Sequence, residues 1–101
     1  MEKIDDVAVE ARRGQLDLAS EHIRQGDESW AQGECAEAME SYERAKDLRV
    51  EVLGEHHPDV AATLTMMGEA YLSLEEYAKA MECYRQTMAW LMVRRFLGDL
   101  T

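Results

Sequence analysis

One stretch limits what this chain can become: residues 61–88, AATLTMMGEAYLSLEEYAKAMECYRQTM. Leu64, Met67, Gly68 and Tyr71 follow at three- and four-residue steps, which places them on one face of a helix. Tyr77, Ala80, Met81, Tyr84 and Thr87 repeat that pattern on a second helix, and Ser73 to Glu76 form the turn between them. Two small residues, Gly68 and Ala80, stand among large ones where the antiparallel helices cross closely. The pattern is that of a helical hairpin.

The hairpin has an earlier copy. A shift of 42 residues places Tyr84 on Tyr42, Ala80 on Ala38, Met81 on Met39 and Glu82 on Glu40. On the first helix Gly68 falls on Gly26, but Leu64 falls on His22 and Tyr71 on Ser29, so that copy is weaker. Small-and-large faces of this kind, repeated in tandem, resemble the tetratricopeptide repeat. The 42-residue spacing exceeds the usual length of about 34. The excess lies in residues 42–61, where Leu53, Gly54, His57, Pro58, Asp59 and Val60 resemble the linker of the kinesin-light-chain type of repeat. The resemblance spans roughly residues 18–97. It implies an all-α fold of helical hairpins in a short right-handed superhelix.

The chain divides accordingly into three parts. Residues 1–14 carry Ile4, Val7, Ala8 and Ala11 at helical spacing and form a capping helix against the first hairpin, ended by Gly14. Residues 15–57 form that hairpin, with a helix over 15–32, a turn at Gly33-Glu34 and a second helix from Cys35 to Leu53 stopped by Gly54. Residues 58–101 form the second, with Pro58 at a first helical position and Asp59 in the first turn. Its last helix continues through Ala89 to Leu97, with Gly98 as its stop. That extension is nearly apolar all round, which calls for burial. Either it packs on another subunit or partner, or it folds along its own hairpin.

At 101 residues the chain is one small domain at most. Acidic residues outnumber basic ones 21 to 11, a formal charge of −10 spread along both halves. A field of this sign disfavours nucleic acid and anionic membrane and favours basic partner segments. No run of apolar residues is long enough to span a bilayer and the acidic N-terminus does not read as a leader, so a cytoplasmic protein is expected. Cys35 and Cys83 form no close-spaced motif, and His56, His57 and Asp59 lack the further ligands that a metal needs. No phosphate-loop, dinucleotide or zinc-protease pattern occurs. No catalytic, metal or cofactor site is expected. A thiol- or histidine-dependent enzyme built on Cys35 or His57 is the remote alternative.

The resemblance implies that function lies in a concave groove built by the first helices. Its positions here are Ser20, Ile23, Asp27, Trp30 and Ala31, then Ala62, Thr65, Glu69, Leu72 and Ser73. None is Lys, Arg or Asn, so the clamp for a C-terminal carboxylate known in this family is not expected. Asp27 and Glu69 would select a basic or amphipathic segment of a partner protein, with Ile23, Trp30, Thr65 and Leu72 supplying contact. The alternative is homo-oligomerisation through the final helix, with Trp90, Leu91, Val93 and Phe96 buried between subunits.

Overall fold

The computed structural model describes residues 2–100, with side chains over residues 6–98. Four helices follow in order: α1 (Glu2–Ala31), α2 (Cys35–Leu53), α3 (Pro58–Ser73) and α4 (Tyr77–Leu100), with no strand among the described residues. The fold is all-α, as the periodicity requires. Consecutive helices pack pairwise, α1 on α2, α2 on α3 and α3 on α4. The result is a slab of 50 × 36 × 16 Å, too thin to enclose a deep core.

The turns form for local reasons. Gly33 and Gly54 adopt φ +81° and +88°, left-handed conformations that cost glycine little. Gly54 closes α2 by donating its N–H to the Val50 carbonyl at 2.9 Å. His57 is extended, as a residue before proline must be, and its Nδ1 accepts the Asp59 N–H at 3.1 Å. The His-Pro-Asp group is thus a helix start. Nearby, the Arg49 guanidinium donates to Thr63 Oγ1 at 2.6 Å, and that hydroxyl donates to the Asp59 carbonyl at 2.8 Å. Thr63 is fully buried, so both bonds offset its desolvation.

Small residues set the helix spacing. Ala38 and Ala80 are wholly buried. A Cβ on Gly26 would lie 2.5 Å from the Tyr42 ring, and one on Gly68 would lie 2.8 Å from that of Tyr84. Each hairpin therefore rests a tyrosine ring directly on a glycine. Around these contacts Met39, Tyr42, Val60, Leu64, Met67 and Cys83 make one continuous core.

Three expectations are corrected. Gly14 does not end a helix: α1 is continuous from Glu2, so residues 2–14 contribute its first turns and not a separate cap, and Met1 lies outside the described residues. Residues 6–14 are all exposed and do not lie against the first hairpin. A single glycine costs a helix only about 1 kcal/mol against alanine, too little to break it between good helix formers. Gly98 fails as a stop for the same reason, since α4 runs on to Leu100. Finally, Tyr77 and Met81 do not share the buried face of α4; they are 59% and 71% exposed, and Ala80, Cys83, Tyr84 and Thr87 face α3 instead.

Candidate functional site: the shared face of α1 and α3

α1 and α3 both rest on α2, and their outward faces form one side of the slab. On α3 the side chains turned to this side are Ala62, Glu69, Leu72 and Ser73, exposed, with Thr65 and Met66 half-buried. On α1 they are Ser20, Asp27 and Ala31, exposed, with Ile23 and Trp30 half-buried. The exposed positions face solvent because the opposite face of α1 is committed to α2 and that of α3 to α2 and α4.

At the centre of this face lies a small open cavity of ≈ 130 Å³, lined by Asp27, Trp30, Tyr42, Met66 and Glu69. Asp27 comes from α1 and Glu69 from α3, so two carboxylates from different hairpins converge on one space. Tyr42 supplies its floor from α2. The Tyr42 hydroxyl donates to Asp27 Oδ1 at 2.7 Å, which fixes that carboxylate against the floor. Burial, and then the neighbouring Asp27, push the Tyr42 phenol well above its ordinary pKa. At neutral pH it therefore remains a hydrogen-bond donor. Trp30 both lines the cavity and packs against the core.

Three of the six groove residues anticipated from sequence, Asp27, Trp30 and Glu69, meet at the cavity. The others flank it or turn away. Ile23 packs on the core, Thr65 donates its hydroxyl to the Ala61 carbonyl of its own helix at 3.0 Å, and Leu72 stays 44% exposed to one side. Tyr42 and Met66 were not anticipated. Tyr42 belongs to a second helix and reads as core in the sequence; only the hydrogen bond to Asp27 reveals its part. Chemically the cavity offers two anionic acceptors, an indole face and a thioether, a set that suits a guanidinium or ammonium on an apolar stem.

A larger open cleft of ≈ 440 Å³ lies on the opposite side, between α2 and α4, with Lys46, Asp47, Glu55 and Glu82 at its rim. Its charges are mixed. Its wall is Trp90, whose indole N–H donates to the His56 carbonyl at 2.6 Å. Trp90, expected between subunits, is thus turned toward its own chain and covered on one side by the Arg94 guanidinium. Leu91, Val93 and Phe96 are 51%, 44% and 64% exposed.

Cys83 and His57 have structural roles, the first in the core and the second as the cap of α3. Cys83 is buried, and that burial raises its thiol pKa, the wrong direction for a nucleophile. Cys35 is half-buried at the start of α2. Among the described residues, no group of three or more His, Cys, Asp or Glu is placed to hold a metal ion. Nor is any described helix long and apolar enough to cross a membrane.

Comparison with known proteins agrees with this architecture. A family model described as tetratricopeptide repeat matches residues 29–89, more than half of the chain, from the end of α1 into α4. No curated protein and no solved structure matches the chain.

Proposed function

The chain belongs to the tetratricopeptide repeat family, and we propose that it binds a basic or amphipathic segment of a partner protein in the concave face of α1 and α3. Repeats of this family are in general non-catalytic modules for binding proteins. The observation that carries the reading is the convergence of Asp27 and Glu69 beside Trp30 and Tyr42 in one cavity. An arginine or lysine of the partner enters there, and apolar neighbours along its segment lie over Ile23, Met66 and Leu72. Thr65 and Leu72 border the contact. The −10 charge steers such a segment and repels nucleic acid and anionic lipid. In this reading the module works in the cytoplasm, without cofactor or catalysis. The start of α3 supports the kinesin-light-chain type of repeat, because the His57, Pro58 and Asp59 positions act together as one helix cap.

The test is a calorimetric titration, using a helical peptide with one arginine between apolar residues and its Arg→Glu counterpart. The arginine peptide binds the native chain, the glutamate peptide does not, and Glu69→Lys weakens the first by roughly tenfold or more. Equal binding by native chain and Glu69→Lys contradicts the proposal.

A second reading, self-association through α4, is favoured by the exposure of Leu91, Val93 and Phe96. It requires Phe96→Glu to lower the association state while leaving the helical circular-dichroism signal unchanged.

A further inference from the structure

The apolar surface of α4 is not scattered. Tyr77, Met81, Arg85, Met88, Met92 and Phe96 follow at steps of 4, 4, 3, 4 and 4 and form one stripe along the helix. The five apolar members are 59–71% exposed. Exposed apolar side chains aligned along one helix face in this way mark an interaction surface. The stripe is turned away from α3, so it cannot reach the concave face of its own chain.

The 42-residue shift shows what this face does elsewhere. Met39 and Val50 on α2, the counterparts of Met81 and Met92, belong to or pack against the core that α2 and α3 share. At these two positions the register is covered on α2 and open on α4, whereas Glu43 and Gly54, the counterparts of Arg85 and Phe96, are exposed on α2 as well.

Charge distinguishes among possible occupants. From Tyr77 to Leu100, α4 carries Lys79, Arg85, Arg94 and Arg95 against Glu82 and Asp99, a net +2 in a chain of −10. Two α4 helices face to face would bring like charge together. The concave face, with Asp27 and Glu69, has the opposite sign and a cavity that suits one arginine. Arg85 is the one basic residue in the middle of the stripe, with Met81 four residues before it and Met88 three after. Its present partner is Glu82 at 2.5 Å, an exposed pair of the kind that contributes little and is readily exchanged.

We propose that the α4 stripe of one copy docks in the concave face of a second copy, with Arg85 entering between Asp27 and Glu69. The proposal rests on the groove reading above and names its occupant. The contact joins two different surfaces, so it is heterologous, and association continues past a dimer unless a ring closes.

Charge reversal tests it by sedimentation of the full chain over a concentration series. The native chain associates, and Glu69→Arg or Arg85→Glu alone weakens association by roughly tenfold or more. An equimolar mixture of the two variants, in which each groove meets a complementary α4, recovers it, as does the double variant. Circular dichroism of each variant verifies folding. A native chain that stays monomeric throughout the series overturns the proposal, as does association indifferent to both reversals or unrecovered in the mixture. A synthetic peptide of residues 77–97 separates this failure from that of the groove itself. If the chain stays monomeric while the peptide binds in a Glu69-dependent way, the second copy is excluded as occupant and the groove stands. If Glu69 has no effect on either, both fall.

Discussion

The two hairpins are built from equivalent residues, yet equivalent residues meet different fates. Met39 is 6% exposed and Met81, 42 positions on, is 71% exposed. Tyr42 and Tyr84 both rest on a glycine, but Tyr42 is buried and bonded to Asp27 while Tyr84 is only half-buried. The difference is in the neighbours. α2 lies between α1 and α3, whereas α4 has α3 on one side and solvent on the other. Burial in such an array is a property of the interface between repeats and not of the repeat alone.

Truncating the two methionines is the strongest way to break this comparison. Met39→Ala removes a core side chain and costs about 2–5 kcal/mol in urea unfolding. Met81→Ala leaves the stability of the isolated chain within about 0.5 kcal/mol. Equal losses would mean that α4 is covered in solution at Met81.

The glycine–tyrosine contacts give a smaller contrast. Gly26→Ala drives a Cβ into a ring held by Asp27, and destabilises by about 1–3 kcal/mol. Gly68→Ala meets a half-buried ring that can shift, and the gain in helix propensity offsets part of the strain. Its cost is about 1 kcal/mol or less. A reversed order would show that Tyr42 has room to move.

The smallest expected effect is alkaline. Burial and Asp27 raise the folded pKa of Tyr42 above the unfolded value of about 10, so the phenol keeps its proton longer in the native state. Its contribution is complete below about pH 10 and is lost as pH rises through the folded value. Tyr71, Tyr84 and Cys83 shift the same way, each mainly by burial. Unfolding free energy therefore begins to fall above about pH 9, where Cys83 contributes, and falls more steeply above about pH 10. Tyr42→Phe makes that fall shallower, after a loss at neutral pH of about 1 kcal/mol for the hydroxyl bond to Asp27. An unchanged alkaline slope in Tyr42→Phe would remove Tyr42 from the account.

Much of the fold was legible in the sequence because it is local. Cys35, Leu53, Gly54 and Pro58 mark helix ends through backbone rules that act within a few residues. Gly14 and Gly98 misled because glycine signals a stop only where the chain must reverse; here the helix continues and no positive φ is needed. Met81 misled through its neighbour-dependent burial, since periodicity gives the face of a helix but not what covers it. The site was half legible. Asp27, Trp30 and Glu69 follow from placing the first-helix faces side by side. Tyr42 reaches the same cavity across a separation of 15 residues from Asp27, which no spacing rule conveys.

The most direct test of the central claim is a nitrogen–proton correlation spectrum of the full chain, titrated with an arginine-bearing amphipathic peptide. The account predicts that the largest shifts fall on the Trp30 indole and on the amides of Asp27, Met66 and Glu69. Shifts confined to Met81, Met88 and Met92 on α4, with the Trp30 indole unmoved, would contradict it.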